Sequence, residues 1–599
     1  MREAASPSLI TFDPAMSIPR LLADRVASEP GSTYVERKAG LGATWTPMSV
    51  QAFSNEVTAV AKGMVALGIE PGDRVSIMSR TRYEWTLLDF AVWAAGAVPV
   101  PVYETSSADQ VQWILSDSGV RLALVETTAH ATLTESVRAQ LPDLGKVLVI
   151  DDGGIQALIE AGSRVDDAEI ERRSQLATAD DLATVIYTSG TTGRPKGAEL
   201  THGNFVTLAL EGAVGLYDVV SAPGCRALLF MPLAHVFARY IEVLCLASGA
   251  ALGHTPDTKN LLADLGTFKP TFILSVPRVF EKVYNSSEQK AGGGTKLKLF
   301  RWAAKTAIVY SRALDTPEGP SAALKAQHAL ADRLVLHKLR NALGGHAKYA
   351  VSGGAPLGER LGHFYRGVGL RVLEGYGLTE TTAPCSVNMP EKIKIGTVGP
   401  PFPGSAIRIA DDGEIQVSSA AVFRGYRNNP EATAEAFDDG WFRTGDLGTL
   451  DDDGYLTITG RKKEIIVTAG GKNVAPAMLE DRLRGHPLVS QVVVVGDDKP
   501  FIGALVTLDA EMLPGWLAGH GLPPMDVNGA SRSHAVLAAL DRAVERANEA
   551  VSRAESIRKI RVLTTDFTVE NDYLTPSLKV KRAKVLADFA DEVEALYTS

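Results

Sequence analysis

Residues 187–197, YTSGTTGRPKG, bring three glycines, a run of hydroxyl side chains and one lysine into a short stretch. Gly190, Gly193 and Gly197 let the backbone come close to a ligand and point N–H groups at it. Thr188, Ser189, Thr191 and Thr192 add hydroxyl donors, and Lys196 supplies a compact positive charge. Together they make a nest for a polyphosphate. The GxxxxGK[ST] order of a P-loop is absent, so a P-loop nucleotidase is disfavoured. A Gly/Thr-rich surface turn is the bland alternative, and the ordered succession of strand, loop, proline and lysine argues against it.

Such a nest has to be held by a strand. ATVIYTSG (183–190) is an apolar run leading straight into the loop, and LALVETT (122–128) and KVLVID (146–151) repeat the pattern. In open α/β sheets ligands gather at such strand ends. Val57 to Leu67 and Trp85 to Ala95 read as helices and Arg74 to Met78 as a strand, an α/β rhythm. Lys296 to Leu343, after the AGGG of 291–294, has helical spacing and reads as a helical insertion over about 291–343. GEIQVSS (413–419) and GYLTITG (454–460) mark a β-rich subdomain over about 400–460. Beyond Gly460, VVVVG (492–496), ALVTLD (504–509), an amphipathic helix around 534–558 and IRVLTT (560–565) form a small α+β unit. The expected architecture is α/β: a large N-terminal domain, 1–460, of α/β sheets plus the β-rich subdomain, and a small mobile C-terminal domain, 461–599.

Composition bounds the function. The 599 residues are 45% hydrophobic and 22% charged, with a formal charge of −9, which suits a multi-domain globular chain. No basic block suggests a nucleic-acid partner. Cys225, Cys245 and Cys385 are too few and too scattered for a disulfide framework or a zinc site and read as small core residues. The N-terminus lacks the apolar stretch of a secretory signal, and cytoplasm is the default. The most apolar long segment, Trp85 to Tyr103, is interrupted by Asp89, Pro99 and Pro101 and is no clean span. Peripheral membrane contact and a homodimer stay open.

The loop resembles the acyl-activating superfamily that contains acyl-CoA synthetases, nonribosomal-peptide adenylation domains and luciferases. SGGAPLG (352–358), EGYGLTETT (374–382), RTGDLG (443–448), GRKKEIIVTAGGKNVAP (460–476) and LTPSLKVKR (574–582) follow in the family's order, so the resemblance spans most of 50–590. It implies that Glu380, with Thr188, holds Mg²⁺ on ATP, and that Gly354, Gly375, Tyr376 and Thr379 line the adenylate pocket. It further implies that Asp446 accepts from the ribose hydroxyls with Arg461 as its partner. By the same resemblance Lys579 is the adenylation lysine, although Leu578 stands where many members have Gly. Lys463 matches the hinge. Gly470 and Gly471 fall beside the pantetheine tunnel, and His235 lies beside the acyl pocket; Val467 replaces a lysine common among relatives. Standing alone, the Thr379-Glu380 pair reads as a helix cap, Asp446 as a turn residue and Arg461 as a solvated cation.

MPLAHVFARYIE and LSVPRVFEKVY (274–284) are most similar to long-chain fatty acyl-CoA synthetases. The implied reaction uses a long-chain fatty acid, ATP and CoA, with Lys196, Glu380 and Lys579 as its catalytic groups. Two rivals remain at this level. One is a fatty acyl-AMP ligase handing its product to a carrier protein. The other is a non-catalytic nucleotide- or lipid-binding homologue, since fold alone does not establish activity.

Overall fold

The computed structural model describes residues 2–38, 40, 44–188, 194–292, 294–575 and 578–598. An eight-stranded sheet runs in the order Ala383–Val387, Arg371–Leu378, Tyr349–Ser352, Phe272–Ser275, Arg226–Leu229, Ala251–His254, Thr33–Lys38 and Trp45–Ser49. Its interior pairings are parallel and only the two edge strands are antiparallel. A second, four-stranded parallel sheet has the order Val98–Val102, Arg74–Met78, Val120–Val125, Lys146–Val149. Parallel sheets need cover on both faces. That requirement explains the helix Tyr83–Ala94, which is buried almost all round, with Trp85, Phe90 and Trp93 at 1% exposure or less.

Asp89, the charge in the middle of that helix, is neutralised in place. Arg239 donates Nη2 to Asp89 Oδ1 at 2.7 Å and Nε to Oδ2 at 3.0 Å, both side chains being fully buried. The guanidinium also lies 5.3 Å from the centre of the Trp93 ring. Beside this pair Glu242 is fully buried, and desolvation followed by the charge of Asp89 raises its pKa.

Helices Gly294–Ala313, Ala322–Ala331 and His337–Ala342 occupy the span read as an insertion. Antiparallel strands from Ser405 to Arg461 form a six-stranded sheet whose outer strand, Glu3–Ala5, comes from the chain's start. The small C-terminal unit has strands Val489–Val495, Ile502–Leu508 and Ile557–Leu563. Its hydrophobic cluster, from Ile466 to Ile557, is separate from the main one. The helix expected over 534–558 stops at Asn548. There the Asn548 side chain accepts from Ile557 N at 2.9 Å and donates to Ile557 O at 3.0 Å, tying the helix end to the next strand. All three cysteines are free and buried. No helix among the described residues is long and apolar enough to cross a membrane.

Candidate active site

The hairpin Leu182–Thr188 and Lys196–Thr201 fixes both ends of the phosphate-type loop, with Thr188 facing Lys196 in the antiparallel register. Ser189, Gly190, Thr191, Thr192 and Gly193 lie outside the described residues. Thr188 and Lys196 open onto a cavity of about 2450 Å³ between the large and small units, and Gly354, Gly375, Tyr376, Thr379, Glu380, Asp446, Arg461, Lys463, His235 and Lys579 line the same cavity.

Glu380 reaches the cavity because the chain bends sharply there. In the strand Arg371–Leu378 a Cβ on Gly377 would sit 1.7 Å from Ala383 O, and one on Gly375 would meet Val387 at 3.0 Å. Just after Glu380, Thr382 and Ala383 hold φ of 57° and 114°, backbone strain of the kind found where a side chain must be aimed. Glu380 Oε1 accepts from Tyr426 OH at 2.8 Å, and the Lys196 ammonium lies 5.0 Å from the centre of the Tyr426 ring. Burial and the Glu380 carboxylate keep the Tyr426 phenol protonated by raising its pKa. Tyr426, in FRGYRN, escaped the sequence reading; it stands on a two-residue strand that pairs with Lys196–Thr201 only in the fold.

Asp446 and Arg461 are cross-strand partners on adjacent antiparallel strands, Trp441–Leu450 and Leu456–Arg461, with Arg461 Nε 3.2 Å from Asp446 Oδ1. Tyr376 donates to Asp446 Oδ2 at 2.6 Å. Burial raises the Asp446 pKa, and Arg461 opposes that shift. Register, not sequence proximity, brings these two together.

Lys579 projects into the cavity from the C-terminal segment. It is open to the cavity space yet ringed by protein. That enclosure, and next the charge of Arg461, lower its pKa, while Asp446, Glu380 and Glu464 raise it. Its neighbours have partners of their own: Lys581 pairs with Asp572, and Arg582, which also lines the cavity, with Glu480 and with Val494 O at 2.7 Å. Lys579 N donates to Thr575 Oγ1 at 3.0 Å, and Thr575 N to Lys579 O at 2.8 Å. Leu578 holds φ +62° and is 52% exposed. A left-handed backbone is what glycine provides at no steric cost, so Leu578 holds a conformation that favours glycine.

His235 caps the helix Val236–Ser248, its Nδ1 accepting from Phe237 N at 3.2 Å. Burial, then the charge of Lys579, push its pKa down to about 4, so it is neutral at physiological pH. The same helix turns Tyr240, Ile241 and Leu244 toward an apolar arm of the cavity that Leu216, Val220 and Phe230 complete. Val214, two residues before Leu216, is 52% exposed and does not line the cavity. Lys463 sits in the 3₁₀ turn Lys462–Glu464 directly after Arg461. Gly470 and Gly471 lie in an exposed turn between the short strands Ile466–Val467 and Asn473–Val474, and this turn does not border the cavity in the present arrangement.

The AMP-binding enzyme family pattern matches residues 22–427, and that of the AMP-binding enzyme C-terminal domain matches 463–599. The chain belongs to the AMP-binding enzyme family. It is 50% identical over 601 residues to long-chain-fatty-acid–CoA ligase FadD15 of Mycobacterium tuberculosis, covering 100% of both chains. Human long-chain-fatty-acid–CoA ligase 1 is 31% identical over 560 residues, 88% of this chain and 79% of that protein. Among solved structures, the adenylation domain of a carboxylate reductase from Mycobacterium chelonae superposes with a TM-score of 0.75 at 22% identity, covering 98% of this chain and 92% of that one. The anthranilate CoA ligase AuaEII in complex with anthranoyl-AMP gives 0.72 at 20% identity over 98% and 99%. These structural likenesses bear on the fold alone.

Proposed function

We infer that this family member is an AMP-forming long-chain fatty acid–CoA ligase. The carrying observation is the convergence of Lys579, Glu380, Asp446 and Arg461, drawn from both units, on a cavity that continues into an apolar arm. A fatty carboxylate attacks the α-phosphate of ATP, forming the acyl-phosphate bond and releasing pyrophosphate. The CoA thiolate then attacks the acyl carbonyl, forming the thioester and releasing AMP. The relatives' names and their full-length identity support the same substrate class.

Each residue has a derivable task. Lys196 and the loop before it draw the outer phosphates, and Asp446, fixed by Tyr376 and Arg461, presents an acceptor to a pair of hydroxyls. Lys579 places a positive charge where the attacked phosphate gains negative charge. Neutral His235 abuts the acyl arm without adding a charge to it. Glu380 and Thr188 would hold Mg²⁺, and the fit is chemically sound. Among the described residues no cluster of three or more His, Cys, Asp or Glu could bind a metal alone, and Mg²⁺ is satisfied by one carboxylate plus phosphate oxygens and water. When bound, Mg²⁺ supplies charge neutralisation to the phosphates. Of the other arginines lining the cavity, Arg312, Arg360, Arg482 and Arg546 suit the phosphates of CoA.

The test is ATP–pyrophosphate exchange dependent on a fatty acid, followed by thioester formation with CoA across saturated acids of graded length. Exchange without thioester formation on CoA, but with transfer to a carrier protein, would overturn the ligase reading.

A further inference from the structure

Lys579 is anchored to the small unit by its own segment, so its position in the cavity depends on how that unit docks. The docking seam lies on the helix Pro277–Lys290 of the large unit. Arg278 Nη2 approaches Asp509 Oδ2 of the small unit at 2.9 Å, with Asp509 at 7% exposure. The Arg278 Nη1 also lies 3.4 Å from Glu281 Oε2 on its own helix. The acceptor is preset: Asp509 Oδ1 already takes Glu511 N at 3.0 Å and Met512 N at 3.1 Å, which fixes the carboxylate before Arg278 arrives. About three helical turns beyond, Gln289 donates to Met512 O at 2.9 Å, and a Cβ on Gly515 would collide with Gln289 at 2.7 Å, so the two surfaces fit closely. By contrast, the neighbouring pair Lys282–Glu511 is open to solvent, at 53% and 80% side-chain exposure.

We propose that Arg278 and Asp509 are a positioning pair: their ion pair holds the small unit in the arrangement that delivers Lys579 to the site, and so serves the adenylation step rather than the thioester step. The pair bridges two units across a partly dehydrated seam, where a charge-assisted bond donated to a preset acceptor is worth more than an exposed one. Neither residue touches the reacting atoms. Both act through Lys579, and the proposal rests on the ligase reading above.

The experiment compares the two half-reactions in Arg278→Gln, Asp509→Asn, the double variant and the charge-swapped Arg278→Asp/Asp509→Arg. Asn keeps the oxygen that accepts from Glu511 and Met512, so the local turn is preserved. Each single variant is expected to lower fatty-acid-dependent ATP–pyrophosphate exchange about tenfold, while thioester formation from supplied acyl-adenylate and CoA changes less than twofold. The double variant should be no worse than either single one, the swap should recover part of the loss, and Lys282→Ala should leave exchange unchanged. In a Lys579→Ala background Asp509→Asn should cause no further loss of exchange. Equal loss of both half-reactions, additive single effects, or full exchange in Arg278→Gln would overturn the proposal. Absence of exchange and thioester formation in the unsubstituted chain would instead sink the ligase reading itself.

Discussion

Replacing Lys579 by Ala removes one ammonium from a site that already contains Lys196 and Arg461, and the structure says how much that should matter. A unit charge about 4 Å from developing phosphate charge contributes roughly 4 kcal/mol at an effective dielectric constant of about 20. Lys579 is open to the cavity, so solvent screens part of this, and the loss of a single preorganised donor, roughly 100- to 1,000-fold in rate, is the appropriate scale. Fatty-acid-dependent ATP–pyrophosphate exchange should therefore fall by that factor in Lys579→Ala. Thioester formation from supplied acyl-adenylate should change by less than about threefold, because that step breaks a bond to phosphate already formed. Lys581→Ala is the control: its ammonium pairs with Asp572 outside the cavity, and exchange should remain within about twofold of the unsubstituted chain. Comparable losses in Lys579→Ala and Lys581→Ala, or equal losses in both half-reactions, would refute the assignment.

The pH dependence of exchange follows from the sign of the Lys579 shift. Its charged form is present below the lowered pKa and is lost as pH rises through it, giving an alkaline limb below the usual lysine range; Arg461→Gln removes a lowering influence and should move that limb upward, measured as exchange against pH at saturating ATP. Arg239→Met strands the buried Asp89 carboxylate and should cost about 3–5 kcal/mol in urea unfolding, whereas Asp89→Leu/Arg239→Met should recover most of it. A methyl on Gly212 would meet Tyr240 Oη at 2.6 Å and Leu244 Cδ1 at 3.1 Å; because both side chains line the acyl arm, Gly212→Ala should shift thioester formation toward shorter acids, with an unchanged chain-length profile counting against that placement of the chain.

Much of the site was legible because its chemistry is local in sequence. The loop at 187–197, the bend in EGYGLTETT and the turn in RTGDLG each pack glycine freedom and a polar group into a few residues, and strand periodicity located the elements that carry them. Leu578 was visible as a departure from the resembled pattern, but only the fold shows that it holds a φ of +62°, which favours glycine. Helix ends were less legible: nothing between 534 and 558 announces that Asn548 will turn back to hold Ile557.

What the sequence by itself determined is an inventory of candidates on an α/β chain: a Gly/Thr-rich loop ending in Lys196, and the motifs whose resemblance to a family singles out Glu380, Asp446, Arg461 and Lys579. Tertiary structure alone decided which of these meet. Strand register sets Asp446 against Arg461, and a two-residue strand brings Tyr426 between Lys196 and Glu380. Ion pairing engages Lys581 with Asp572 and Arg582 with Glu480, while Lys579 faces the cavity. The outward turn of Val214 and the inward turn of Tyr240, Ile241 and Leu244 were beyond any one-dimensional pattern, because both runs are apolar. Only the packing of helices against the sheets determines which apolar side chains face a ligand and which face solvent.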